Sequence, residues 1–110
     1  MVGSYSIEIR KMGLKILDLI SEGLGLQAGC FGEEFCREQS MAINHYPCCP
    51  DPSLAMGIGG HCDPNLITVL QQEVYGLQMF KDGKWLGVDP LPNAFVVNIC
   101  HLLEVYSQIC

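Results

Sequence analysis

The first 24 residues carry the spacing of an amphipathic helix. Apolar side chains recur at intervals of three and four residues, at Ile9, Met12, Ile16, Leu19, Ile20 and Leu24. Charged residues lie between them, which gives the helix one apolar face and one polar face. Gly23 and Gly25 stand where such a helix is expected to end. The pattern predicts a helix that packs its apolar stripe on a sheet.

Residues 27–40 show no clear hydrophobic period. Gly29, Gly32 and a mixture of charges interrupt this stretch, which predicts a loop with at most a short helical turn. The change of pattern near Ser40 predicts a boundary between a helical segment, residues 1–40, and a segment of strands, residues 41–110.

From Met41 onward, short apolar runs alternate with Pro, Gly, Asn and Asp, a pattern typical of successive strands. The predicted strands are residues 41–46, 58–63, 66–72, 77–80, 85–88 and 94–99, and residues 102–106 could open a helix. Prolines in the stretch 47–52 predict an irregular connection, because proline cannot donate to a strand ladder. Asp82 and Gly83 favour a two-residue primed turn in a tight hairpin. Strands of this length and spacing predict a mainly β sandwich or jelly roll after the N-terminal helix.

Composition and charge exclude several kinds of partner. The 110 residues are 49% hydrophobic and 16% charged, which fits one small folded domain. A net charge of −6 argues against nucleic acid and anionic membranes, because both require clustered Lys and Arg. Asp18 and Glu22 interrupt the apolar residues of the helix, which argues against a membrane span. The opening residues lack a charged start followed by an apolar core, so a secreted protein is not expected. Seven cysteines without a Cys-x-x-Cys pair are expected to stay thiols, without a zinc site, which favours a cytoplasmic location.

The pair His61 and Asp63 is the strongest candidate for chemistry. If residues 58–63 form a strand, side chains two positions apart lie on the same face. An imidazole and a carboxylate suit ferrous iron, and the arrangement called the facial triad needs these two groups and one more histidine. The other histidines are His45 and His101.

A second polar pair lies on the predicted strand 41–46. Alternation along that strand would place Asn44 and Tyr46 on one face and His45 on the other. Asn44 and Tyr46 are therefore candidates for the lining of a pocket.

Several longer motifs occur in order along the chain. They are Asn44-His45-Tyr46-Pro47, Cys49-Pro50-Asp51-Pro52, Gly60-His61-Cys62-Asp63-Pro64-Asn65-Leu66-Ile67-Thr68, Gly76-Leu77-Gln78, Asp82-Gly83-Lys84-Trp85 and Pro92-Asn93-Ala94-Phe95-Val96-Val97-Asn98-Ile99. With these motifs the chain resembles the plant 2-oxoglutarate- and iron(II)-dependent dioxygenases, which share an isopenicillin N synthase-like fold. Within them it is most similar to the hyoscyamine 6-hydroxylase-like group.

The resemblance implies a fold, a set of ligands and a reaction. Residues 41–110 would be part of a double-stranded β-helix, or jelly roll, with residues 1–40 as helical support. His61 and Asp63 would be two of three iron ligands, and Asn44 and Tyr46 would line the 2-oxoglutarate pocket. The implied cofactors are Fe(II) and 2-oxoglutarate as cosubstrate, with ascorbate as a further candidate. The implied partners are molecular oxygen and a small specialised metabolite, which would be hydroxylated or desaturated.

The chain departs from the family in ways that bear on catalysis. The family's second histidine ligand, and an Arg-x-Ser that binds the distal carboxylate of 2-oxoglutarate, are expected to lie beyond the end of this sequence. The resemblance places His101 at an ordinary turn and not at the ligand position. Cys100 stands where the family usually has glycine, and a positive φ there would strain a cysteine.

Three hypotheses about function stay open at this point. The first is an iron- and 2-oxoglutarate-dependent oxidoreductase represented by an incomplete chain. The second is a non-catalytic protein, either a truncated product or one that binds full-length relatives through unpaired strand edges. The third is a metal-binding module. The sequence does not identify a substrate.

Overall fold

The computed structural model describes residues 2–32 and 35–109. The elements in chain order are α1 (Val2–Gly23), a 3-10 helix (Pro52–Leu54), β1 (Ile67–Leu70), β2 (Gln78–Lys81), β3 (Lys84–Gly87), β4 (Val96–Ile99) and α2 (His101–Ile109). The predicted N-terminal helix is confirmed, and four of the six predicted strands overlap antiparallel strands of the described residues. The described residues form two compact units, one that runs up to Cys62 and includes Ile109, and one that comprises Asp63–Gln108. The predicted domain boundary near Ser40 stays a prediction.

The helix α1 ends just before a glycine with a positive φ, Gly25, one of the two glycines at which the sequence predicted the end. Gly25 has a φ of 71°, in the left-handed region that glycine adopts without steric cost. The Gly25 N–H donates to Glu22 O (3.0 Å) and the Leu26 N–H donates to Ser21 O (2.8 Å). These two bonds form a Schellman motif, which satisfies carbonyls that the last helical turn would otherwise leave unpaired.

The buried face of α1 differs from the predicted apolar stripe. Leu17 and Ser21 are buried, whereas Leu19 is 59% exposed. The Ser21 hydroxyl donates to Leu17 O at 2.9 Å, so a polar side chain is buried with its hydrogen bond satisfied. The hydrophobic pattern placed the buried face of α1 incorrectly, because it treats every serine as exposed. Ser21 is small and bonds within its own helix, so it can be buried.

The loop after α1 is held to the helix by side chains. Arg10 Nη2 donates to Cys36 O, and Gln39 Nε2 donates to Ser6 O at 3.1 Å. Phe31 is buried in the same compact unit. The prediction of a loop over residues 27–40 is confirmed for its described residues; Glu33 and Glu34 lie outside them.

The predicted strands 41–46 and 58–63 are wrong. In the described stretch from Met41 to Cys62 the only regular element is the 3-10 helix, and every residue is exposed. Its backbone bonds are local, such as that from the Leu54 N–H to Asp51 O. A strand needs a neighbouring ladder to satisfy its backbone groups, and none pairs with these residues. The irregular connection predicted from the prolines is confirmed.

The second compact unit holds two antiparallel pairs of strands. β1 pairs with β4, with Ile67 opposite Ile99 and Thr68 opposite Asn98. β2 pairs with β3, with Phe80 opposite Trp85 and ring centroids 5.1 Å apart. The buried residues of this unit are Leu66, Cys100 and Leu103.

The hairpin turn between β2 and β3 confirms its prediction. Asp82 and Gly83 have φ values of 50° and 78°. Positive φ at both central residues is the requirement of a type I′ turn, whose twist matches that of the flanking strands.

The helices and the cysteines of the described residues bear on the predictions for a membrane span and for disulfides. No helix in the described residues is long and apolar enough to cross a membrane. The six described cysteines are free thiols, and Cys110 lies outside the described residues.

Candidate functional site

His61 lies on an exposed, irregular segment, not on the predicted strand. Its ring nitrogen Nδ1 is 2.9 Å from Gly59 O. A carbonyl can only accept, so Nδ1 is the donor in this contact. Histidines that bind metals typically have one ring nitrogen held in this way by a carbonyl or carboxylate.

Asp63 opens the second compact unit and is held by a residue of β1. Thr68 Oγ1 donates to Asp63 Oδ2 at 2.6 Å, a length typical of a hydroxyl bonded to a carboxylate. Asp63 is half-buried. The aspartate of the motif is thus oriented by a side chain five residues later in the sequence.

Backbone hydrogen bonds fix the loop that carries Asp63. The His101 N–H donates to Asp63 O at 3.2 Å, and the Cys100 N–H donates to Leu66 O at 3.0 Å. These bonds extend the β1–β4 ladder toward the loop, so the first residue of α2 is bonded to the candidate ligand's backbone.

Cys100 is buried beside Thr68 and does not show the predicted strain. Its Sγ lies 3.4 Å from Thr68 Oγ1 and 3.5 Å from Asn98 O. The described non-glycine residues with positive φ are Asp82 and Asn93, so Cys100 has an ordinary backbone. The Cys100 carbonyl accepts from the Leu103 N–H at 3.1 Å, because the chain turns directly into α2. The strain prediction is therefore wrong.

The side chain of His101 contacts its own helix. Its Nδ1 is 3.6 Å from Glu104 Oε2, one helical turn away. Among the described residues, no group of three or more His, Cys, Asp or Glu side chains is placed to hold a metal ion. The described part of the chain therefore offers His61 and Asp63 as candidate ligands without a third.

Asn44 and Tyr46 lie in the exposed stretch from Met41 to Cys62, with Tyr46 62% exposed. Because no strand forms there, the predicted alternation of their faces does not hold. Arg10 is bonded to the Cys36 carbonyl in the loop after α1. The pocket role of Asn44 and Tyr46 stays a prediction.

The residues fit iron better than they fit the cosubstrate. The donor types at His61 and Asp63, an imidazole with its proton on Nδ1 and a hydrogen-bonded carboxylate, suit a ferrous ion. A keto dicarboxylate needs in addition a guanidinium near its distal carboxylate. Neither Asn44 nor Tyr46 is a cation, so these two residues alone do not form such a site.

Sequence reasoning missed the contacts of Thr68 and Cys100 beside Asp63. Thr68 was visible as a polar residue at the start of an apolar strand, five positions after Asp63. Cys100 is 32 residues from Thr68, and only the β1–β4 register brings the two together. No local signal in the sequence shows that contact.

Comparison with known proteins gives the family. Residues 37–109 match the family described as the 2OG-Fe(II) oxygenase superfamily. The chain is 51% identical over 109 residues to hyoscyamine 6-dioxygenase of Hyoscyamus niger, an alignment that covers 97% of this chain and 32% of that protein. It is 44% identical over 110 residues to flavanone 3-dioxygenase 2 of Oryza sativa subsp. japonica, with the same two coverages. It is 46% identical over 110 residues to the protein Downy Mildew Resistance 6 of Arabidopsis thaliana, again covering 97% and 32%. The chain thus spans about a third of the length of these curated relatives.

Proposed function

The chain belongs to the 2OG-Fe(II) oxygenase superfamily, and from this premise we propose that it is part of an Fe(II)- and 2-oxoglutarate-dependent oxidoreductase in which His61 and Asp63 are two of the iron ligands. The observation that carries the proposal is the family match over residues 37–109, which includes the His-x-Asp motif. The finer fold, a partial jelly roll of the isopenicillin N synthase-like type, is part of the same proposal.

The two proposed ligands have distinct tasks. Gly59 O accepts from His61 Nδ1, so Nε2 would be the ring nitrogen that binds the metal. Thr68 holds its own proton toward Asp63 Oδ2, which fixes the direction of the carboxylate. Bound iron would supply the redox chemistry by which molecular oxygen oxidises a substrate while 2-oxoglutarate loses carbon dioxide. The protein's contribution is to orient these two donors before metal arrives.

The cosubstrate and substrate are further parts of the proposal. Asn44 and Tyr46 would contact 2-oxoglutarate, and ascorbate is proposed as an additional cofactor. The relatives bear the names hyoscyamine 6-dioxygenase and flavanone 3-dioxygenase 2. By analogy with them we place the substrate among small specialised metabolites, and the reaction as hydroxylation or desaturation, in the cytoplasm.

A second candidate function is non-catalytic binding to full-length relatives. All residues of β2 and β3 are exposed, and among the described strands these two pair only with each other. Outer edges of such a two-stranded sheet carry backbone groups that another chain could pair with. This candidate needs no iron.

A chimera separates the two candidates. The 110 residues replace the aligned segment of hyoscyamine 6-dioxygenase, and succinate release from 2-oxoglutarate is measured with hyoscyamine, Fe(II) and ascorbate. We expect turnover that is lost in His61→Ala and in Asp63→Ala. His45→Ala and Asp18→Ala, which remove an exposed imidazole and an exposed carboxylate elsewhere, are the matched controls and should retain it.

Two outcomes would reject the catalytic proposal. One is turnover that survives both His61→Ala and Asp63→Ala. The other is a chimera that shows the helical and strand content of the parent by circular dichroism but releases no succinate above the free-iron background. The second outcome, combined with co-purification of the 110-residue chain with the intact relative, would favour the non-catalytic candidate.

A further inference from the structure

The hydroxyl of Thr68 has one proton, and its geometry shows where that proton points. Thr68 Oγ1 lies 2.6 Å from Asp63 Oδ2, within the short range of a hydroxyl bonded to an ionised carboxylate. An ionised carboxylate only accepts hydrogen bonds. The Thr68 proton is therefore committed to Asp63.

This commitment determines the direction of the neighbouring contact. Thr68 Oγ1 and Cys100 Sγ are 3.4 Å apart, and either atom could donate if considered alone. Because the Thr68 proton is directed at Asp63, a hydrogen bond between Thr68 and Cys100 has the thiol as its donor and the Thr68 oxygen as its acceptor. Asn98 O, at 3.5 Å from the same sulfur, is the other acceptor within reach of the thiol proton.

The backbone beneath these three side chains is held by hydrogen bonds. Thr68 faces Asn98 in the β1–β4 ladder. The Cys100 N–H is bonded to Leu66 O, and the His101 N–H is bonded to Asp63 O. Cys100 is 4% exposed, so its thiol does not exchange this contact for water. The side chains are therefore in contact in the order Cys100, Thr68, Asp63, and Thr68 is the residue that touches both of the others.

We propose that Cys100 and Thr68 are positioning residues for Asp63, and that their hydrogen-bond relay restricts the rotation of its carboxylate for metal binding. The inference rests on the proposed function, because it assumes that Asp63 is an iron ligand. It goes further in giving a buried cysteine, where the resemblance leads one to expect glycine, a defined effect on that ligand. Thr68 is the direct contact and Cys100 acts through Thr68.

Metal binding to the intact 110-residue chain tests the relay. Fe(II) affinity is measured by anaerobic equilibrium dialysis, and Co(II) absorption provides a spectroscopic signature of the ligand geometry. Thr68→Val, which keeps the shape and removes the hydroxyl, is expected to weaken binding by about tenfold, as other outer-shell substitutions do. Cys100→Ala should weaken it several-fold and change the Co(II) spectrum in the same direction. Thr68→Ser and Cys100→Ser, which keep a donor, should restore most of the affinity.

A double variant distinguishes a relay from loose packing. If Cys100 acts through Thr68, Cys100→Ala should have no further effect on affinity in the Thr68→Val background. Cys36→Ala, at a thiol in the loop after α1, is the matched control and should leave metal binding unchanged. Additive losses, or full affinity in Thr68→Val and Cys100→Ala, would overturn the relay while leaving the iron ligands in place.

A metal-free measurement keeps the two proposals separate. In the apo chain, three-bond couplings to the Thr68 methyl group should report a single χ1 rotamer that becomes averaged in Cys100→Ala. An unchanged rotamer in that variant would overturn the relay whatever the metal result. Metal binding that is insensitive to His61→Ala and Asp63→Ala would instead reject the proposed function, and with it the role of the relay in metal binding.

Discussion

Thr68 and Asp63 are joined by a hydrogen bond of 2.6 Å that links a loop to the start of a strand. The strand residue is itself fixed by its pairing with Asn98 on β4. The carboxylate of the His-x-Asp motif is therefore held by a residue of a sheet. The two candidate ligands, separated by one residue in the sequence, are oriented by different means.

The end of α1 gives a test with a built-in control. Gly25 has a φ of 71°, whereas Gly23 is the last helical residue. A Cβ added at either glycine meets no atom within 4 Å, so only the backbone preference differs. Gly25→Ala should destabilise the chain by about 1 kcal/mol, and Gly23→Ala should stabilise it by up to about 1 kcal/mol. Urea unfolding followed by circular dichroism measures both, and equal effects of the two substitutions would contradict the Schellman assignment.

The hairpin turn can be tested through the chain's single tryptophan. Asp82 has a φ of 50°, which asparagine tolerates and a β-branched residue does not. Asp82→Val should destabilise the hairpin by about 1–2 kcal/mol, whereas Asp82→Asn should be neutral or stabilising. Trp85 packs against Phe80 with ring centroids 5.1 Å apart, so its fluorescence reports hairpin formation. Identical acrylamide quenching of Trp85 in both variants would argue against a primed turn.

The thiol of Cys36 should react more slowly than the exposed thiols. Burial raises the pKa of Cys36, and the Arg10 charge lowers it by a smaller amount. The thiol also donates to Phe31 O at 3.2 Å. A raised pKa means less thiolate at a given pH, so its alkylation profile should lie at higher pH than that of the exposed Cys30. Pulsed iodoacetamide labelling with mass spectrometry measures this, and equal rates for Cys36 and Cys30 at mildly alkaline pH would refute it.

The exposed stretch from Met41 to Cys62 should be the first site of proteolysis. Its described residues are all exposed, and only Pro52–Leu54 form a regular element. Brief chymotrypsin treatment should cut at Leu54 and Met56 before it cuts at Tyr5 or Tyr106, which lie in α1 and α2. Cleavage within the helices at the same early times would show that this stretch is better protected than its burial indicates.

These features show which parts of the structure the sequence could predict. Gly25 and the Asp82–Gly83 pair set their own backbone conformation, so the end of α1 and the hairpin turn follow from local chemistry. The strands expected at 41–46 and 58–63 did not form, because a strand depends on hydrogen-bond partners that a local pattern does not reveal.

The candidate site also has a part that the sequence could predict and a part that it could not. His61 and Asp63 could be selected from residue type and spacing alone. The contact between Thr68 and Cys100 could not, because it depends on the register of two strands far apart in sequence. The burial of Ser21 was missed for a related reason, since its hydroxyl is satisfied within α1.

Iron binding by the chain itself tests the central claim most directly. Fe(II) affinity is measured by anaerobic equilibrium dialysis for the 110-residue chain and four variants: His61→Ala, Asp63→Ala, His45→Ala and His101→Ala. We expect binding that is weaker than that of hyoscyamine 6-dioxygenase, because the described residues supply two ligands without a third. His61→Ala and Asp63→Ala should each lower the affinity by at least about tenfold, and the other two variants should stay within about threefold of the unsubstituted chain. Binding that is unaffected at His61 and Asp63, or lost equally in His101→Ala, would contradict the assignment of the iron ligands.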